Sequence, residues 1–253
     1  MNEYLAALIL GLVQGLTEFL PISSTGHLII FEKFFGFPET LGLTFDISVH
    51  VATALAILYF FKNDWKEIFR DKKLLVAIAV GTFPAVIIGL LFEDYIASSR
   101  SLGVVATGLL AGSVIILVAE WTYKKRKISH GTPSISQGLV VGFFQALALI
   151  PGISRSGATI SGALFLGKNR SDAARFSFLL STPIIFAAAA KQLAKTEGVF
   201  HMNMLPIFAV GFCAAFFAGL CALRFLTKMM KRSTLLPFVW YRIILAALLL
   251  WLL

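Results

Sequence analysis

Apolar runs of about twenty residues follow one another along most of the chain, separated by short polar stretches. Because a run of this length crosses the hydrocarbon core of a bilayer as a helix, we predict six membrane-spanning helices, at 44–62, 74–92, 102–122, 172–192, 205–227 and 236–253. The runs are continuous, whereas the strands of a membrane β-barrel alternate apolar and polar positions. The pattern therefore predicts an all-α polytopic membrane protein.

Two further apolar stretches, 4–31 and 135–167, are interrupted by clusters of Pro, Gly and Ser. Unwound backbone at membrane depth persists only where it is buried in protein or lines a cavity. We therefore expect each stretch to form a re-entrant helical hairpin.

The chain also contains an internal repeat with a spacing of about 130 residues. The matching positions are Gly11 and Gly142, Gln14 and Gln145, Gly26 and Gly157, Gly81 and Gly211, and Gly89 and Gly219. Each half, 1–127 and 128–253, holds one re-entrant segment and three spans. Since three is odd, the second half starts on the opposite side of the membrane, and the two halves form an inverted-topology repeat. In proteins built this way, the interrupted segments of the two halves mark the binding site.

The composition excludes a water-soluble globule: 58% of the residues are hydrophobic, 14% are charged, and the mean hydropathy is +0.86. The net charge of +9 would suit nucleic acid, but most of the Lys and Arg residues collect on one side of the predicted topology. They lie at 62–73, 124–127, 168–175 and 228–232. The positive-inside rule makes that side cytoplasmic. We expect no nucleic-acid partner, and we expect both termini on the outer side.

The first apolar run follows Met1-Asn2-Glu3-Tyr4 without a basic region or a small-residue cleavage site. No cleavable signal peptide is therefore expected.

The first interrupted stretch contains the sequence QGLTEFLPISSTGH at residues 14–27. Gln14 and Glu18 are four residues apart and share one face of a helix, which Pro21 ends. The next helix opens with side chains that can cap it and bind a ligand, namely Ser23, Ser24 and Thr25, followed by His27. A charged group inside a membrane costs about 2.5–3.5 kcal/mol on insertion scales, which favours a functional role for Glu18. The alternative is a buried carboxylate that pairs structurally with Arg155 or a capping hydroxyl.

The second interrupted stretch contains PGISRSGAT at residues 151–159. Pro151 and Gly152 break a helix, and the next one opens with backbone N–H groups and with the hydroxyls of Ser154, Ser156 and Thr159. A positive helix end and the planar fork of Arg155 add to these groups, so the segment predicts an anion site suited to phosphate. The alternative is that Arg155 only neutralises Glu18.

Together the two motifs resemble the paired motifs of the undecaprenyl-diphosphate phosphatase family, the bacitracin-resistance proteins of bacterial membranes. The likeness covers the whole chain in length, spacing and segment order. It implies an enzyme of the bacterial cytoplasmic (inner) membrane that removes the terminal phosphate of undecaprenyl diphosphate at the outer face. That reaction regenerates the lipid carrier for peptidoglycan. The resemblance also implies a divalent cation such as Mg²⁺ or Ca²⁺, and catalytic or binding roles for Glu18, Ser24, His27 and Arg155. The first motif of the family often opens with Glu, where this chain has Gln14.

Two mechanisms remain open for such a site. Arg155 and the N–H groups around 154–157 would stabilise the phosphate charge. Ser24 is either the nucleophile, with His27 or Glu18 as its base, or a phosphate-binding group beside a water that Glu18 or His27 activates. A Mg²⁺ ion held by Glu18, by Gln14 and by the substrate phosphates would suit a hard cation with few protein ligands.

Two other functions compete with the phosphatase. A transporter or flippase of an anionic lipid shares the architecture of inverted repeats and broken helices, but has no need of the Glu18, Ser24 and His27 group. A phosphatidate-type lipid phosphatase fails, because no Arg-Pro pair occurs and Ser161 stands where that family needs His. The sequence leaves open whether the protein forms a homodimer.

Four other polar residues in the apolar segments are predicted to have structural roles. We expect Asp46 to cap the first span and His50 to be packed or to face a cavity. Glu120 is expected at the membrane interface. Arg242 is expected near the cytoplasmic end of its span, with its side chain extended to the surface.

Overall fold

The computed structural model describes residues 2–35, 42–195 and 204–253, and within them the chain is α-helical without a β-strand. In chain order the helices are α1 (Glu3–Phe19), α2 (Ser24–Phe35), α3 (Leu43–Phe60), α4 (Lys62–Arg70), α5 (Lys72–Leu91), α6 (Glu93–Ser98), α7 (Leu102–Tyr123), α8 (Ile135–Leu147), α9 (Arg155–Phe165), α10 (Arg170–Lys195), α11 (Leu205–Met229) and α12 (Leu236–Leu252). The all-α, multi-pass prediction is confirmed.

Four helices are long and apolar enough to cross a membrane: α5, α7, the Arg170–Lys191 part of α10, and α11. The predicted span at 44–62 ends earlier, because the chain bends by 75° between α3 and the charged helix α4. Counting that bent pair as one span gives five. The sixth predicted span is α12, whose 17 residues cover only about 26 Å, slightly less than the hydrocarbon core. By length and composition, the described residues thus contain four to five candidate spans rather than the predicted six.

Both interrupted segments are broken where the sequence predicts, between α1 and α2 and between α8 and α9. At each break a serine adopts a left-handed backbone, with φ of 73° at Ser23 and 73° at Ser154, a conformation that costs a non-glycine residue about 1–2 kcal/mol. Each serine then caps the following helix, since Ser23 Oγ accepts from the Gly26 N–H and Ser154 Oγ accepts from the Gly157 N–H.

The helix before each break packs against a helix from the other half of the chain. A methyl group on Gly11 of α1 would overlap the carbonyl oxygen of Gly211 in α11. In the same way, a methyl group on Gly142 of α8 would overlap the carbonyl oxygen of Gly81 in α5. Only glycine permits these backbone-to-backbone contacts, which resemble the small-residue interfaces of other membrane helices.

The prediction for Arg242 is wrong: the side chain is fully buried rather than extended to the surface. Its guanidinium lies against α7 in space left by Gly112, where an added methyl group would overlap Nη2. The distance of a residue from the end of a span says nothing about which face of the helix it occupies, and Arg242 occupies the inner face.

Glu120, which is expected at the membrane interface, is buried inside the protein and only 2% exposed. Its two carboxylate oxygens each accept from Arg170 at 2.5 Å, and Oε1 also accepts from the Leu235 N–H at 2.8 Å. One carboxylate therefore joins the end of α7 to the start of α10 and to the start of α12.

We expect Glu120→Ala to lower the free energy of unfolding by about 3 kcal/mol, because it leaves the largely buried Arg170 without its carboxylate partner. Thermal unfolding of the purified protein in detergent measures the change. The control is Glu67→Ala, which breaks the exposed pair with Arg175 and should cost at most about 1 kcal/mol. Equal effects of the two substitutions would contradict this account of Glu120.

Candidate active site between the two broken helices

A cavity of about 1100 Å³ lies where the two broken segments meet. Six of the predicted site residues line it: Glu18, Ser23, Ser24 and Thr25 from the first segment, and Ser154 and Arg155 from the second. The structure therefore brings together two motifs that are far apart in the sequence.

Glu18 connects the two segments at the floor of this cavity. Its Oε1 forms an ion pair with Arg155 Nη2, and its Oε2 accepts from Ser24 Oγ at 2.5 Å and from Gln14 Nε2 at 3.0 Å. The carboxylate is buried, so these donors replace the water that would otherwise solvate it. A serine hydroxyl and a guanidinium thus both contact one carboxylate.

Three predicted binding residues lie behind the cavity wall. Gln14 is fully buried beneath Glu18, and its Oε1 has no hydrogen-bond partner among the described residues. Ser156 Oγ donates to the Leu20 carbonyl at 3.0 Å. Thr159 Oγ1 donates to the Arg155 carbonyl at 2.7 Å and lies 2.5 Å from Ser177 Oγ. Ser156 therefore joins the second segment to the first break, Thr159 joins α9 to α10, and Gln14 lies directly behind Glu18.

His27 is also placed behind the wall. Its Nδ1 is 2.7 Å from the Ser23 carbonyl oxygen and its Nε2 is 2.6 Å from the Tyr241 hydroxyl. Since a carbonyl oxygen only accepts, Nδ1 carries the proton, and Nε2 accepts from the Tyr241 O–H. With both ring nitrogens engaged, His27 holds the left-handed Ser23 against α12.

The imidazole that faces the cavity is His50. Its Nε2 lies 3.9 Å from Glu18 Oε2, and its Nδ1 is 2.7 Å from the Asp46 carbonyl oxygen. Asp46 also lines the cavity, with Oδ2 at 3.3 Å from Arg100 Nη2. The expectation that Asp46 caps α3 is wrong, because the helix begins almost one turn earlier and Gly42 occupies the cap position. The spacing of Asp46 and His50, four residues apart on one helix face, was the available signal that both side chains face the same cavity.

The rest of the cavity is charged at one end and apolar along its walls. Two ion pairs line the charged end, Arg100 with Glu32 at 3.3 Å and Lys191 with Glu93 at 2.6 Å. The apolar walls come from α5, α10 and the loop after α8, through Ala85, Val86, Leu90, Leu149, Ile150, Ile184 and Ile185. A polar floor with apolar walls suits a ligand that has an anionic head and a hydrocarbon tail.

The donor set at the floor fits a divalent cation only in part. Within the described ranges, no group of three or more His, Cys, Asp or Glu side chains could hold a metal ion. Glu18 offers a carboxylate, and Gln14, whose Nε2 donates to that carboxylate, has an Oε1 without a hydrogen-bond partner among the described residues. Such a site would need oxygen ligands from a bound phosphate and from water, which is the usual arrangement for Mg²⁺.

Comparison with known proteins places this site in a family. The family model described as "Bacitracin resistance protein BacA" matches residues 7–248. A protein named undecaprenyl-diphosphatase, from Thermodesulfovibrio yellowstonii, is 44% identical over 252 residues, which cover 97% of this chain and 96% of the relative. The chain belongs to the BacA family of bacitracin resistance proteins.

Proposed function

We propose that the protein is an integral membrane phosphatase that hydrolyses undecaprenyl diphosphate to undecaprenyl phosphate and inorganic phosphate. Membership of the family and the name of the relative both support this function. The observation that carries the proposal is the contact of Ser24, Glu18 and Arg155 at the floor of a cavity with apolar walls. In a cell, the reaction recycles the lipid carrier for peptidoglycan and confers resistance to bacitracin.

In this proposal Arg155 binds the terminal phosphate of the substrate. Its planar fork can contact two phosphate oxygens, and it stabilises the negative charge that the transferring phosphoryl group carries. The N–H groups at the start of α9 and the Ser154 hydroxyl lie next to it and would add hydrogen bonds to the same group.

Ser24 is then the nucleophile and Glu18 its base. Ser24 Oγ already donates to Glu18 Oε2 at 2.5 Å, so the proton passes to the carboxylate as Oγ attacks phosphorus. The bond between phosphorus and the bridging oxygen breaks, and undecaprenyl phosphate leaves. A water molecule then hydrolyses the phosphoserine. We favour Glu18 over His27 as the base because His27 contacts Ser23 and Tyr241 instead.

A divalent cation, Mg²⁺ or Ca²⁺, would be held by Glu18 together with Gln14 Oε1 and the substrate phosphates. When bound, the ion would neutralise phosphate charge and so favour transfer. The unpartnered Gln14 Oε1 is the observation that supports this position.

We further propose that 1–127 and 128–253 form an inverted repeat, with six spans and two re-entrant hairpins. The support comes from the equivalent backbone of Ser23 and Ser154 and from the matching glycine contacts of α1 and α8. The membrane is the bacterial cytoplasmic membrane, with both termini outside and the cavity open to the outer face. Arg100 and Lys191 at the charged end of the cavity belong to the side with few basic residues, which supports this orientation.

We expect the purified protein to release phosphate from undecaprenyl diphosphate. Glu18→Ala, Ser24→Ala and Arg155→Lys should each lower kcat/KM by about 10²–10³-fold, because each removes a group from the reacting phosphate or its nucleophile. The matched control is Arg224→Lys, an exposed position of α11, which should leave the rate unchanged.

The Ser24→Ala result separates the two mechanisms. If this variant alone keeps a substantial rate, water is the nucleophile and Ser24 binds phosphate. If folded wild-type protein releases no phosphate from any of several prenyl diphosphates, the phosphatase proposal fails. Lipid flux in vesicles, which would survive Ser24→Ala, then becomes the activity to measure.

The cation proposal predicts that binding of Mn²⁺, used as a probe for the divalent ion, depends on a phosphate ligand. We expect electron paramagnetic resonance to detect bound Mn²⁺ when a non-hydrolysable bisphosphonate analogue is present, and little without it, because the protein supplies too few ligands. Glu18→Gln should abolish the signal, whereas Glu67→Gln at the surface should not. Undiminished binding in Glu18→Gln would place the ion elsewhere.

The orientation can be tested by labelling single cysteines in intact cells, after Cys213 and Cys221 are replaced by Ser. A membrane-impermeant maleimide should label Ser98→Cys, on the proposed outer side, and should not label Lys125→Cys in the basic cluster. Both positions are exposed, so each should react once the membrane is permeabilised. The reverse labelling pattern would overturn the orientation.

A further inference from the structure

Arg242 is a buried cation that the proposed chemistry does not use. It is fully buried in α12, and among the described residues no acidic side chain forms an ion pair with it. A buried guanidinium is costly unless all of its N–H groups are hydrogen-bonded. Its partners are therefore informative about its role.

Those partners are mostly backbone carbonyl oxygens, and two of them belong to the two helix breaks. Nη1 donates to the Pro21 carbonyl at 3.0 Å, and Nη2 donates to the Gly152 carbonyl at 3.0 Å. Nε donates to Ser113 Oγ at 3.1 Å and to the Leu109 carbonyl at 3.2 Å, which fastens the group to α7. One rigid, planar group thus bridges the first break to the second.

The two bridged carbonyls occupy equivalent positions relative to the reacting groups. Pro21 lies three residues before Ser24, and Gly152 lies three residues before Arg155. A change in the distance between the two carbonyls would therefore change the distance between the nucleophile and the phosphate-binding cation. Two weaker contacts join the same breaks: the Gly152 N–H donates to Ser23 Oγ at 3.2 Å, and Ser156 Oγ donates to the Leu20 carbonyl at 3.0 Å.

Tyr241, the residue before Arg242, supports the first break at a second point. The Tyr241 hydroxyl donates to His27 Nε2 at 2.6 Å, and the two rings are stacked with centroids 5.7 Å apart. His27 in turn donates from Nδ1 to the Ser23 carbonyl. Tyr241 thereby fixes, through His27, the left-handed serine that precedes Ser24.

We propose that Tyr241 and Arg242 are a pair of positioning residues that set the two breaks relative to each other and so align Ser24 Oγ with the phosphate bound by Arg155. Neither residue is among the described residues that line the cavity, so neither touches substrate. This inference rests on the proposed phosphatase function.

The test compares Arg242→Lys and Tyr241→Phe with Arg224→Lys and Tyr59→Phe, which make the same changes at exposed positions. A lysine carries one ammonium group in place of the planar fork and cannot bridge both carbonyls in the same geometry. We expect kcat for phosphate release to fall roughly 10²-fold in Arg242→Lys and about tenfold in Tyr241→Phe, because small misplacements of reacting groups have effects of this size. KM should change by less than about threefold, since the residues that contact substrate remain.

Two further measurements separate positioning from a general loss of structure. Tyr241→Phe removes one hydroxyl from a partly exposed side chain, and its melting temperature should stay close to that of the wild type. Spin labels at Leu16 and Leu147, exposed residues of the two helices that precede the breaks, report the distance between the segments without any turnover. Their distance distribution should broaden in Arg242→Lys and remain narrow in Arg224→Lys.

The outcomes are distinct for the two proposals. If the wild type and both controls release no phosphate, the phosphatase proposal fails whatever the spin labels show. If the wild type is active, the positioning role is overturned by an unchanged kcat in both test variants. A rise in KM at constant kcat, or a loss of rate that matches the loss of folded protein, would also overturn it.

Discussion

A helix that breaks inside a membrane leaves backbone N–H and carbonyl groups that no water can satisfy. The structure meets this constraint at both breaks with side chains held inside the protein. The hydroxyls of Ser23 and Ser154 accept from the backbone of the following helices, and Ser156 donates to the Leu20 carbonyl. Arg242 takes up the carbonyls that remain at Pro21 and Gly152. The breaks can therefore expose their reactive groups to the cavity while their own backbone is satisfied from behind.

The same arrangement determines the electrostatics of the site. Glu18 and Arg155 neutralise each other across the two segments, so neither charge is left alone in a region of low dielectric. An entering phosphate would compete with Glu18 for Arg155, and the freed carboxylate is then available to a proton or a cation. The ion pair is thus compatible with both interpretations that the sequence left open, a structural pair and a functional one.

Features of the fold and of the site could be predicted where they depend on neighbouring residues in the sequence, and could not where they depend on contacts between distant helices. The continuous apolar runs predicted the helices, and the Pro, Gly and Ser clusters predicted the position of both breaks. Both signals are local, because the length of an apolar run and the effect of a helix-breaking residue concern only neighbouring positions in the sequence. The pairing of Glu18 with Arg155 was anticipated from their isolated charge in apolar surroundings. The sequence favoured a catalytic role for His27 and a packed or cavity-facing position for His50. The structure places His50 at the cavity and His27 behind its wall, because only the orientation of each ring in the folded chain decides which one faces the cavity. The burial of Arg242 and the ion pair of Glu120 could not be predicted for a similar reason: their partners lie in other helices, far away along the chain.

The backbone contacts of the glycines also bear on how the protein is made. Gly11 of α1 packs against Gly211 of α11, so α1 meets its main partner only after about 200 more residues have been synthesised. At roughly 5–20 residues per second, that wait lasts about 10–40 s. During this time α1, with Glu18 near its end, must reside in the bilayer or the insertion machinery without the surface that later covers it. Biogenesis of this fold therefore favours an α1 that tolerates a long exposure to lipid before α11 is synthesised.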